Sequence, residues 1–291
     1  MGIENKIEKI IESIDDLPPF PEIALRALDV AKDPNSVAND IVNVIQYDQA
    51  VTANCLRICN STYFGLREKA KSLKHAVILI GAENLVKVIL TNCSKISAYA
   101  HAHVGYGLHA GELWRHSVSC ALLSQLLLKK VGQKDNHELF TAALLHDIGK
   151  LVIDGFIADD FEAIYSLMQE ERFGFVEAEK AFFGIDHAEL GGIIAETWKF
   201  PQSLIDAIRN HHLRLSNDVK TNLDSWTGLS NLVFYVTDGY FLRSKQKEGI
   251  TCQINQDILN RFHLSQKSIE EMAYELPYEL KKAEDLLQIS S

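Results

Sequence analysis

Imidazole and carboxylate side chains recur along this chain at separations that suit metal-ion chemistry. The densest fragment is LLHDIGKLV, where His146 stands beside Asp147. Neighbours on a helix point about 100° apart, so both reach a single ion only at a helix end; two adjacent ions bridged by the carboxylate are easier to serve. A lone His-Asp pair is common by chance, and its weight comes from its company. His116 lies on the preceding helical stretch, with Glu112 one turn before it on the same face. His187 opens a helix in DHAELGG, and His211 and His212 end one in RNHH. Asp238 sits in the apolar segment FYVTDGY, where an unpaired buried carboxylate is costly. Together these seven residues make a candidate site for one or two divalent ions. Mixed nitrogen and oxygen donors suit iron, manganese or zinc better than calcium. Each residue also has a plainer explanation. His116 fits a core histidine bonded to a carbonyl, His211 and His212 fit a polar helix C-terminus, and Asp238 fits a solvent-facing carboxylate.

Helices must position these groups, because helical periodicity dominates the chain. Ile3, Ile7, Ile10, Ile11 and Ile14 form one stripe. Pro18, Pro19 and Pro21 break it and open a helix over Ile23 to Ala31. Ser36 is the expected cap of a helix with Val37, Ile41, Val44 and Ile45 inward, and Asp48 of one burying Val51, Cys55, Leu56 and Cys59. Asn60 to Gly65 reads as a loop. Ser72 caps a helix that Gly81 interrupts, and another runs from about Glu83 to Ala98. The spacing further predicts helices over Glu112–Lys130, Glu138–Leu151, Asp159–Glu171 (Phe161, Ile164, Tyr165 and Met168 inward), Val176–Phe183, His187–Trp198 and Pro201–His212. Two more cover Leu229–Arg243 and, capped by Ser265, Gln266–Leu287. No alternating strand pattern and no internal repeat stand out, so the expected class is all-α.

The segment AHAHVGYGLHAG, residues 100–111, has three Gly, three His and no period. It divides the expected architecture into an N-terminal helical subdomain at 1–99, a linker at 100–111 and a second helical subdomain at 112–291. Its histidines, His101, His103 and His109, suit an exposed linker better than a fixed metal site.

Composition narrows the function classes. With 291 residues, 47% of them hydrophobic and 23% charged, the chain can bury a core without disulfides. The net charge of -10 argues against a nucleic-acid duplex as the main partner, since such binding runs on phosphate neutralisation. The one local exception is the passage around Gly81 with Lys69, Lys71, Lys74 and Lys87. Cys55, Cys59, Cys93, Cys120 and Cys252 include no CxxC pair and read as small buried residues in a reducing cytoplasm. The N-terminus lacks a basic start followed by an apolar run, and no apolar stretch spans a membrane, so a cytoplasmic location is expected. Trp114 and Trp198 belong in the core; Trp226 sits in a more polar segment.

The ordered motifs WRHS, LLHDIGK, DHAELG and NHH, with Asp238 after them, resemble the HD superfamily of metal-dependent phosphohydrolases. Before them, LPPFPEIALRAL, IQYDQAVTANCLRICNSTYFG and SLKHAVILIGAENL resemble the HDOD family specifically. The resemblance runs from about Leu17 to beyond Asp238. It implies an output or adaptor module of bacterial signal transduction, with signalling proteins as partners. In the related HD-GYP phosphodiesterases of cyclic di-GMP, residues matching His116, His146, Asp147, His187, His211, His212 and Asp238 bind two or three metals. Glu112 stands where a further ligand is possible, and Lys150 matches a lysine that contacts substrate phosphate. The chain departs from that pattern after the paired histidines, reading HHLRLSNDVKTN in place of HHE followed by DGxGYP. An active form would be a metal-dependent phosphohydrolase of nucleotides or cyclic dinucleotides. Its ions would share Asp147 and activate water, while Lys150 would stabilise charge on the phosphate.

Overall fold

A computed structural model describes residues 21–33, 35–93, 111–132, 137–171, 174–212, 233, 259–260 and 262–287. The expected N-terminal stripe, the His-rich segment up to residue 110, the Leu229–Arg243 helix, Trp226 and Asp238 lie outside the described residues, apart from Val233.

Among the described residues the architecture is all-α. The first group of helices is α1 (Pro21–Lys32), α2 (Ala38–Ile45), α3 (Gln49–Cys59), α4 (Leu73–Ile80) and α5 (Ala82–Cys93). Their ends are set by local hydrogen bonds. The Asp48 carboxylate accepts from the Val51 N–H at 2.8 Å, and the Ser72 hydroxyl accepts from the His75 N–H at 3.0 Å. Gly81, at φ 81°, ends α4 in a backbone conformation that side chains other than glycine rarely adopt. Ser36 is not the cap of α2. Val37 holds the extended cap position, and the Asp40 carboxylate reaches back to accept its N–H at 2.9 Å. Val37 is accordingly exposed rather than inward, whereas Ile41, Val44 and Ile45 are buried.

The second group is α6 (Glu112–Lys130), α7 (His137–Leu145), α8 (Ile148–Glu171), α9 (Phe175–Phe183), α10 (His187–Thr197), α11 (Gln202–Arg209) and α12 (Gln266–Leu287). The Ser265 hydroxyl accepts from the Ser268 N–H at the start of α12, as its sequence suggests. The helix expected over Glu138–Leu151 is two helices. It breaks at His146–Asp147, and the second part runs unbroken to Glu171. The apolar run hides this break, because Leu144, Leu145 and Ile148 are all fully or almost fully buried on both sides of it. On α8, Ile164 is buried but Tyr165 points to solvent.

Helix α6 packs on α7 and α12, and α10 packs on α8 and α11. The two groups meet where α3 touches α7 and α12 touches α1. Specific polar contacts fix that junction. The Gln49 amide donates to the Leu144 carbonyl at 2.7 Å, and the Trp114 indole donates to the Tyr47 carbonyl at 2.8 Å. The Arg57 guanidinium stacks 5.2 Å over the Trp198 ring. One apolar cluster runs through both groups, from Ile23 and Leu56 to Leu127, Ile148, Ile208 and Met272. Burial of each such side chain contributes about 1.5–3 kcal/mol.

Candidate metal centre

The break between α7 and α8 is where the site begins. It frees His146 and Asp147 from regular helix geometry and turns both into the space between α6, α10 and the end of α11. There the Asp147 carboxylate, 1% exposed, stands among four imidazoles. Its Oδ2 lies 3.3 Å from His116 Nε2 and 3.4 Å from His146 Nε2. Its Oδ1 lies 3.3 Å from His187 Nε2 and 3.4 Å from His211 Nε2. His212 closes the second side, its Nε2 2.7 Å from His187 Nε2. Lys150, in the first turn of α8, reaches Asp147 Oδ2 at 2.7 Å. Six sequence-selected residues therefore converge with Lys150: His116, His146, Asp147, His187, His211 and His212. Glu112 does not join the groups whose donor atoms lie within 4.8 Å of one another, and Asp238 is outside the described residues.

The outer nitrogens explain the ring orientations. His146 Nδ1 sits 2.7 Å from the Ala143 carbonyl oxygen, and His211 Nδ1 sits 2.7 Å from the Ile208 carbonyl oxygen. A carbonyl only accepts, so each Nδ1 carries a proton and each ring turns its Nε2 toward Asp147. His187 is held by Glu179 of α9, whose Oε2 accepts from both the His187 backbone N–H at 2.8 Å and Nδ1 at 2.6 Å. Glu179 is fully buried. Outer partners of this kind accompany metal-binding histidines and raise their basicity.

Close helix packing sets the remaining geometry. A Cβ on Gly149 would collide with the His187 carbonyl oxygen, so glycine there lets the start of α8 touch the start of α10. A Cβ on Gly191 would press on Ile208 at 2.8 Å, so glycine there also seats α11. Asp186 caps α10, accepting from the Glu189 N–H at 2.7 Å and pairing with Lys180 at 2.9 Å.

The electrostatics favour a cation in this space. Burial opposes ionisation of Asp147, but His146 and Lys150 outweigh it and hold the carboxyl well below its usual range. Burial holds His146 well below its ordinary value, and burial with His211 and His187 beside it holds His212 down to about 2. Burial also opposes protonation of His116, yet Cys120 and Asp147 prevail and push it up to about 10. His187 is raised as well, with Glu179 and Asp147 overcoming burial and Lys150. Asp147 Oδ1 is buried and has no hydrogen-bond partner. The buried Asp147 carboxylate is ringed by imidazole nitrogens at 3.3–3.4 Å, and a cation held among them would offset the cost of burying its charge. The donor set thus fits a divalent ion: Asp147, His187, His211 and His212 form one group of mutually close ligand atoms, and His116, Cys120 and His146 form another.

Two members of this arrangement are missed by sequence reasoning. Cys120 lies four residues after His116, the spacing that places two donors on one helix face, but its apolar surroundings read as core. Glu179 gives no signal in EAEKAFF that separates it from a surface glutamate.

Comparison with known proteins agrees with the fold. A model of the HDOD domain matches residues 17–213. An uncharacterized protein of Treponema pallidum is 23% identical over 239 residues, which is 79% of this chain but only 44% of that protein, so the chain spans less than half of its length. Among solved structures, the MmoQ response regulator of Methylococcus capsulatus superposes with a TM-score of 0.67 at 23% identity, covering 89% of this chain and 98% of that one. A virulence factor of Campylobacter jejuni gives 0.64 at 20% identity, covering 94% and 98%. An HDOD domain protein of Geobacter sulfurreducens, of unknown function, gives 0.52 at 22% identity, covering 97% of each chain.

Proposed function

Because this chain belongs to the HDOD family, we propose that it is an output or adaptor protein of bacterial signal transduction whose HD-type half retains a divalent-metal site. The carrying observation is Asp147, buried between two sets of imidazoles whose inner nitrogens face it at 3.3–3.4 Å. Iron, manganese or zinc, as one or two ions, match those donors. His116, His146, Asp147, His187, His211 and His212 would hold them, with Asp238 as a further candidate. Signalling proteins are the expected partners, and the cytoplasm the expected location. Among the described residues no helix is long and apolar enough to cross a membrane. Three of the four lysines around Gly81 are engaged within the chain, Lys69 with the Asn60 carbonyl, Lys71 with Glu138 and Lys87 with Glu83, which speaks against a phosphate-binding face there.

A second reading, hydrolysis of a phosphoester such as a nucleotide or cyclic dinucleotide, is favoured by Lys150. Its ammonium touches Asp147 while its side chain stays 19% exposed, so it can also meet a phosphate arriving from solvent. A bound divalent ion would supply Lewis acidity to phosphoryl oxygen and lower the pKa of water. Lys150 would neutralise charge on the phosphate, and Glu179 would keep His187 oriented.

Elemental analysis of protein purified without chelators tests the site directly. The wild type should carry one to two equivalents of metal, and the double variant His146→Ala, Asp147→Ala should carry none. Absence of metal from the wild type, even after reconstitution, would make the histidines structural. Turnover of phosphodiesters by the loaded wild type, lost in Lys150→Ala with metal retained, would decide for the second reading.

A further inference from the structure

Cys120 lies one turn after His116 on α6 and is fully buried. Its Sγ is 3.8 Å from His116 Nε2 and 4.0 Å from His146 Nε2, and those two nitrogens are 3.2 Å apart. A triangle with these edges contains a point about 2.1 Å from all three atoms, within the zinc–nitrogen and zinc–sulfur range of roughly 2.0–2.3 Å. No side chain has to move far for one ion to touch all three. Asp147 Oδ2, 3.3 and 3.4 Å from the same two nitrogens, stands close enough to offer a further donor. On the other side of Asp147 the donors are His187, His211 and His212, with no sulfur among them.

We propose that Cys120 is a thiolate ligand of the His116/His146 position, so that the chain presents two chemically unlike metal positions side by side. The position with sulfur selects zinc, or cobalt(II) as its surrogate. The position built from Asp147, His187, His211 and His212 accepts the harder manganese or iron. Soft thiolate favours zinc over manganese, whereas carboxylate and imidazole discriminate less. On binding, the sulfur–metal bond forms as the thiol proton leaves to solvent, which ties occupancy to proton release. This assignment rests on the metal-holding role proposed above.

Cobalt(II) titration of the metal-free, full-length chain separates the two. Bound cobalt shows visible ligand-field bands whatever its donors, whereas a near-ultraviolet charge-transfer band requires a thiolate. The wild type should show both. Cys120→Ser should keep the visible bands and lose the charge-transfer band, and its preference for zinc over manganese should fall at least about tenfold, the lower end of what even an outer contact to a metal ligand is worth. X-ray absorption at the zinc edge of the wild type needs no variant and should show a sulfur neighbour at about 2.3 Å. Visible bands without a charge-transfer band, or a zinc edge without sulfur, would overturn the role of Cys120 and leave the metal site standing. No cobalt uptake by the wild type would overturn both.

Discussion

Glu179 does for His187 what backbone carbonyls do for His146 and His211: it fixes the outer nitrogen so that the inner one faces Asp147. Glu179→Gln keeps the shape and removes the charge, so metal affinity should fall by about 10- to 100-fold in competition with a chromogenic chelator. Unchanged affinity would mean that Glu179 only fills space. A different kind of burial acts at Cys59, whose thiol is pushed up to about 12 by removal from water. Below its unfolded value near 9 the thiol is neutral in both states, and its contribution is intact. As pH rises from there toward 12, the unfolded chain gains an ionisation that the folded chain withholds, and stability falls. Unfolding free energies measured across that range should decline more gently in Cys59→Ala than in the wild type. At this scale the sequence exposes residue types well. His116, His146, Asp147, His187, His211 and His212 are recognisable because imidazoles are scarce and stand at motif positions. Glu179 and Cys120 are not, because their roles depend on which way a helix turns them, and nothing in their neighbours records that.

Helix ends are legible at Asp48, Ser72 and Ser265, where a short polar side chain satisfies an N–H. They are illegible at Val37, where the bond comes from Asp40 three residues later, and at His146–Asp147, where the break lies inside an uninterrupted apolar run. That break matters most, because an unbroken helix would turn the two side chains about 100° apart. Removing the Asp48 carboxylate with Asp48→Ala should cost about 1 kcal/mol by chemical denaturation. The contact between α8 and α10 is more demanding. Gly149→Ala forces a methyl into the His187 carbonyl, and the resulting shift should cost about 1–3 kcal/mol and weaken metal binding at the same time. A stable Gly149→Ala protein with full metal affinity would show that the two helices separate without disturbing the site.

The all-α class follows from periodicity alone, but how the helices sit against each other does not. Gln49 on Leu144, Trp114 on Tyr47 and Arg57 on Trp198 join residues 67 to 141 positions apart, and no local pattern announces such pairs. One apolar cluster through both groups predicts one cooperative thermal transition in the metal-free chain. A metal that binds only the folded state should raise its midpoint, by about 2.7 kcal/mol of added stability at a hundredfold excess over Kd. Two separate transitions in calorimetry would contradict the shared core.

The donors around Asp147 are unevenly spaced along the chain, and this has a consequence during synthesis. His116, Cys120, His146 and Asp147 leave the ribosome within a short stretch, whereas His211 and His212 follow some sixty residues later. The nascent chain therefore carries the side chains proposed for the sulfur-bearing position before those of the sulfur-free position are complete. If Cys120 ligates as proposed, a metal at the tunnel exit would meet the soft donors first, and the harder set would be complete only after α10 and α11 have emerged. The order in which the ligands are translated would thereby bias the order in which metals are taken up.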